Sequence, residues 1–241
     1  MKKALVVDDS SFIRKIARQI LDKTQGLPIV SMHGHVDAAM LASNVPFEDP
    51  ASLLVIPDHY LVRMLISQGV SPELLGWHPE GVRGVQSEEQ ARGVWRKFCE
   101  GWPLFRGTPT RFWMEHVLFE VFGLTEPPSE KSADESFAHI SDRLARADYR
   151  PRALFERFGI ELLATTDPAD SPLDSHEILA QDGWRDRVIP TFRPDSLLEP
   201  LREGWGSELD RLSTASGIDA REYDGYLAAL RQRRRAFIAA G

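Results

Sequence analysis

Leu27-Pro28-Ile29-Val30-Ser31-Met32-His33-Gly34-His35 is an apolar run that closes on two histidines one residue apart. Its length and its polar ending mark Leu27 to Ser31 as a strand. On a strand, side chains at i and i+2 share a face, so both imidazoles can reach one ion. Neutral imidazole suits zinc and other late first-row divalent metals. Without an ion, the same pair is a polar strand end held by hydrogen bonds.

Two further runs have this shape. Ile160 to Ala164 leads into Thr165-Thr166-Asp167, and Arg187 to Pro190 leads into Thr191-Phe192-Arg193-Pro194-Asp195. Helical patterns separate the three. Helices are expected at Tyr60 to Gln68, Ser87 to Phe98, from Thr108-Pro109 to Gly123, and from Pro151. Ser87 with Gln90 makes a capping-box pattern. Asn44 to Pro50 and Glu126 to Glu135 read as connections. Strands alternating with helices predict an α/β fold with a parallel sheet. Polar clusters at strand C-termini are where such folds place active sites.

Ala4 to Val7 adds a weak strand, followed by a helix capped at Asp9 or Ser10. Three or four strands do not close a (β/α)8 barrel, which needs eight. The expected architecture is therefore part of a TIM-type barrel, with a helical insertion at about 60–157.

Other side chains carry chemistry by type. Asp58-His59-Tyr60 follows the apolar run Leu53 to Ile56 and offers a carboxylate, an imidazole and a phenol for acid–base work on a polyhydroxy substrate. The competing reading is a helix start capped by Asp58. Arg193 sits at a strand end before Pro194, where its planar fork suits a carboxylate; an ion pair with Asp195 is the alternative. His176 and Asp174 are either substrate contacts or the start of a helix. His78, His116 and His139 have no partner pattern and are assigned to structure or surface.

A net charge of −7 with a pI near 5.5 argues against nucleic acid as a partner. The dense basic run Arg231 to Arg235 reads as the solvated face of a helix. The sole cysteine, Cys99, reads as a buried thiol and fits a reducing cytoplasm. No stretch is long and apolar enough for a membrane span or a secretory leader.

Five blocks taken in order resemble the uronate isomerases of the amidohydrolase superfamily. They are Leu27 to Asp37; Pro57-Asp58-His59-Tyr60 with Arg63-Met64-Leu65 and Ser67-Gln68-Gly69-Val70; Leu104 to Thr110; Ala164-Thr165-Thr166-Asp167-Pro168; and Phe192-Arg193-Pro194-Asp195. The resemblance implies a divalent metal, zinc by ligand type, on His33 and His35. It implies His59 and Tyr60 as catalytic and substrate-site residues and Arg193 as a substrate-binding residue. It also implies aldose–ketose isomerisation of a hexuronate, D-glucuronate to D-fructuronate or D-galacturonate to D-tagaturonate. In the family the chain continues for about as long again and supplies an aspartate on the last barrel strand. Residues 25–241 are then the first half of such a barrel, expected to have little or no activity alone and to self-associate as a homo-oligomer through its open sheet edges.

Two other readings are carried. The HxH motif is shared with metal-dependent hydrolases of the same superfamily, in which the ion activates water. Residues 1–24, with Asp8-Asp9 after a short strand, are similar to the opening of a response-regulator receiver, where paired acids hold magnesium. A receiver's phospho-accepting aspartate should end a strand about where Leu53 to Ile56 stands, and no acid follows directly there.

Overall fold

A computed structural model describes residues 23, 24, 26–78, 81 and 83–241. The expected N-terminal strand and helix, and the acid pair Asp8-Asp9, lie outside the described residues. By internal contacts the chain divides into two compact units, one of residues Met1–Ser43 with Phe155–Gly241 and one of Asn44–Leu154.

The first unit carries a parallel sheet in the order β1 (Ile29–Ser31), β2 (Ile160–Pro168), β3 (Val188–Arg193). Ile29 pairs with Ile160 and Ser31 with Leu163, with a register shift between Ile29 and Val30. Leu163 to Pro168 pair in step with Val188 to Arg193. The sheet is therefore one arc of a parallel α/β wall, as expected. Helix α1 (Ala38–Ser43) follows β1, and α8 (Asp174–Gln181) connects β2 to β3. Ala38 and Leu41 of α1, Leu179 of α8, Leu163 and Val188 form one buried cluster with Phe155. Leu163 thus looks toward the helices, and by strand alternation so do Thr165 and Asp167.

Helices α9 (Trp205–Ser216) and α10 (Tyr223–Ala240) complete this unit. Leu209, Leu212 and Ala229 pack with Leu197, and Phe237 of α10 meets Phe192 of β3 edge to face at 5.2 Å. The basic run on α10 is not uniformly solvated. Arg231, Arg234 and Arg235 are exposed, but Arg233 is buried and donates to the carbonyls of Ala169, Ser171 and Ala215. A guanidinium has five donors in a rigid fork, so one inward arginine can satisfy several loop carbonyls that no helix or strand serves.

The second unit is helical: α2 (Pro50–Leu54), α3 (His59–Ser67), α4 (Glu88–Glu100), α5 (Pro109–Glu115, continued as a π-helix over His116–Val121) and α6 (Ala133–Leu144), closing on α7 (Pro151–Arg157), whose last residues enter the first unit. The starts at Ser87 and Thr108 follow the sequence signals, whereas α2 begins within the stretch Asn44 to Pro50 expected to be a connection. Asp49, Ser87 and Thr108 each cap a helix through their side chains, with Pro50 and Pro109 in first turns. The Gln90 side chain reaches back to the Gln86 amide, one residue earlier than a standard box requires. Leu53 and Leu54 belong to α2, so that apolar run is helical.

The unit's core is aromatic. Trp95, Phe98, Trp102 and Phe105 meet in sequence through tilted and edge-on ring contacts, and the Trp95 indole donates to Ser136 Oγ at 3.0 Å. Cys99 is buried here as expected, and burial pushes its thiol up to about 12.

Asn44 performs two local tasks. It adopts φ +49, a region that favours Asn and Gly, and its Oδ1 accepts from the Arg152 amide in the first turn of α7. Asn44→Ala is expected to cost about 1–2 kcal/mol, and Asn44→Gly less, because glycine keeps the backbone freedom. Urea titration of the two variants checks this; equal losses would show that the cap alone matters.

Candidate active site

The C-terminal ends of the three strands carry three of the polar clusters that sequence reading singled out, and Asp58, His59 and Tyr60 lie in the helical unit. β1 stops at Ser31, so His33 and His35 lie on the bend beyond it and not on the strand. The i, i+2 relation nevertheless holds. Their Nε2 atoms stand 3.0 Å apart, and their rings meet edge to face at 4.7 Å. Two nitrogens each roughly 2.0–2.1 Å from one tetrahedral ion lie about 3.3 Å apart. Both imidazoles are exposed, so an ion can reach them. The pair therefore fits two positions of a metal site. Among the described residues no group of three or more His, Cys, Asp and Glu completes one.

Gly34 explains how the bend keeps its shape. Its amide donates to Ala164 O at 2.8 Å, carrying the β1–β2 pairing past the end of β1. A Cβ here would come within 2.6 Å of Leu163 Cδ1 and 3.3 Å of the Ala164 carbonyl. Three residues on, Asp37 Oδ1 accepts from the Ala39 amide at 2.8 Å and starts α1.

At the end of β2, Thr165 Oγ1 lies 2.7 Å from Asp167 Oδ2, 2.9 Å from His176 Nε2 and 3.2 Å from Ile189 O. Thr165 and His176 are buried. Burial pushes the His176 imidazole below its usual range, against the pull of Asp167 and Asp37, so the ring is neutral at pH 7. In the sequence, His176 was ambiguous between a contact and a helix start. It is in the first turn of α8, turned into the protein. The alternation Thr165, Asp167 signalled a shared face, but a partner on a later helix has no local signature.

At the end of β3, Arg193 donates through Nε to Asp195 Oδ2 at 2.8 Å, the ion pair that its sequence neighbourhood allowed. In the helical unit, Asp58 accepts from the amides of Tyr60 and Leu61 and caps α3. Both bonds fall on Oδ1, and His59 and Tyr60 follow directly in the first turn of the helix. Those two rings lie against each other at 4.1 Å, and Tyr60 is 55% exposed. His139 bonds the Phe122 carbonyl and is structural. No described helix is long and apolar enough to cross a membrane.

Comparison with known proteins adds a family. The family model described as glucuronate isomerase matches residues 2–241. The uronate isomerase of Rhizobium meliloti (strain 1021) is 46% identical over 224 residues, 93% of this chain and 47% of the relative. That of Rhizorhabdus wittichii is 47% identical over 228 residues, 95% of this chain and 47% of the relative. Among solved structures, glucuronate isomerase from Caulobacter crescentus superposes with a TM-score of 0.90 at 41% identity, over 97% of this chain and 48% of that one. The uronate isomerase of Thermotoga maritima gives 0.82 at 27% identity, over 94% and 48%. The chain thus spans about half the length of the relatives it matches.

Proposed function

The chain belongs to the glucuronate isomerase family, and from that premise we propose that the enzyme it represents interconverts hexuronates with their keto forms, D-glucuronate with D-fructuronate and D-galacturonate with D-tagaturonate. The observation that carries the chemical part is the His33–His35 pair, two imidazole nitrogens 3.0 Å apart beyond the end of a parallel strand. The family match begins at residue 2, which supports reading the acidic opening with the rest of the chain and not as a receiver. The match over the rest of the chain favours isomerisation over superfamily hydrolysis, which the HxH alone does not. We read the helical unit Asn44–Leu154 as the insertion, wider at its start than the sequence suggested.

In the isomerisation a base takes the proton from C2, and an enediolate forms. A proton returns to C1 while another passes from O2 to O1, which leaves a ketone at C2. We assign the oxygen-to-oxygen transfer to His59 and Tyr60, an imidazole and a phenol in ring contact. Arg193 takes the C6 carboxylate through its η nitrogens, with Asp195 holding Nε. No residue of this chain is assigned as the C2 base. His33 and His35 would hold a divalent ion, zinc by imidazole preference, and when bound it supplies Lewis-acid polarisation of substrate oxygens. We place the protein in the cytoplasm, in keeping with a lone, buried, reduced Cys99.

Arg193 gives the test of substrate class. Arg193→Lys is expected to weaken glucuronate binding to the zinc-loaded protein about tenfold, as the loss of a charge-assisted pair of bonds does. Binding of the matching neutral hexose, measured by the same calorimetric titration, should stay within about twofold. Equal losses for both sugars would remove Arg193 from carboxylate recognition.

A further inference from the structure

We infer that Thr165 and His176 are positioning residues for the His33–His35 pair, acting through β2 and the loop that carries the pair; this rests on reading that pair as metal ligands. The loop is held at two points. Gly34, between the histidines, is bonded to Ala164 O and packed so closely on β2 that a methyl group would collide with Leu163. The position of the pair is therefore set by β2 at Ala164. The second point is α1, which starts at the Asp37 cap two residues after His35 and packs its Ala38 and Leu41 against Leu179 of α8.

His176 and Thr165 join these two anchors. Thr165 follows Ala164 on β2 and is 1% exposed; His176 stands on α8 and is 4% exposed. Threonine has one hydroxyl proton, and the Asp167 carboxylate, its nearest partner, can only accept. The proton therefore goes to Asp167, and Thr165 Oγ1 receives the Nε2–H of His176 at 2.9 Å. The bond ties α8 to β2 at the level of Gly34. Buried and fully committed, it tolerates little displacement, because breaking it leaves a donor and an acceptor without water. Neither residue touches the ion that the pair would hold, and both fix the frame from which His33 and His35 project.

The test uses the whole chain with cobalt(II), read by its visible absorption and by competition with a chelator. Thr165→Val keeps the shape and removes the hydroxyl; Thr165→Ser keeps the hydroxyl. His176→Leu removes the donor; His176→Gln places an amide N–H near Nε2. Cobalt affinity should fall about tenfold or more in the valine and leucine chains, as loss of supporting bonds around a metal site does, and stay within about threefold in the serine and glutamine chains. Should the valine or leucine chain lose its helical circular dichroism, His176→Asn, too short to span to Thr165, takes its place with the same expected loss. Affinity equal to the parent in valine, leucine and asparagine chains overturns the inference, as does an equal loss in the serine and glutamine chains, which would make the effect one of packing. A parent chain without a cobalt band overturns the metal reading itself, and this inference with it.

Discussion

Alanine at both His33 and His35 is expected to abolish any zinc that the protein retains through dialysis. Their Nε2 atoms stand 3.0 Å apart, and among the described residues no group of three or more His, Cys, Asp and Glu includes them. Removing both leaves nothing there to displace water from the ion, so the loss in affinity should exceed about a hundredfold. Folding should be almost untouched. Both rings are exposed on a bend past β1, and the contact that orders the bend belongs to the backbone of Gly34. A change within about 0.5 kcal/mol is the ordinary cost of such surface substitutions. Zinc content by atomic emission, together with a thermal scan, separates the two effects. Unchanged zinc in a folded double variant would end the metal assignment.

Trp95→Ala is expected to be the most destabilising single change in the helical unit, by about 3–5 kcal/mol. Trp95 is fully buried, packs on Phe98 at 5.1 Å and on Phe137 at 6.5 Å, and bonds Ser136. Alanine leaves a cavity among side chains that are themselves pinned by neighbours. It also strips the Ser136 hydroxyl of its donor, although that hydroxyl still gives its own proton to Ala133 O. Trp95→Phe refills most of the space and should recover more than half of the loss. Urea denaturation read at the remaining tryptophans decides it. A loss under about 1 kcal/mol for alanine would mean the site collapses around the smaller side chain.

How far the sequence was legible follows the physics of each element. The caps at Ser87 and Thr108 were legible because they are local, within four residues of the helix they start, whereas the helix capped by Asp49 begins where Asn44 to Pro50 reads as a connection. The strand ends were read short. Thr165 to Pro168 lack apolar character, yet they pair with Pro190 to Arg193, and a ladder is extended by its neighbour as much as by its own composition. The histidine pair was legible because period-two geometry survives the end of the strand. Asp58 is open in one dimension because a carboxylate can serve as cap or catalyst, and the amides of Tyr60 and Leu61 show the cap. His176 and Arg233 were misjudged or undecided for one reason: each finds its partners on segments distant in sequence. The family was legible in five ordered blocks, and the family match extends it to residue 2.

The strand that leads to the histidines is synthesised early and paired late. Ile29 finds Ile160 only after the whole of Asn44–Leu154 has left the ribosome, whereas the helical unit makes its contacts among near neighbours. Local contacts form quickly and distant parallel pairings slowly. The nascent chain therefore carries Leu27, Ile29, Val30 and Met32 unpaired while the helices condense, and all four stay exposed even after β2 arrives. A chaperone that waits on apolar strands has its longest opportunity at this segment, and a pause in translation before residue 160 would prolong it.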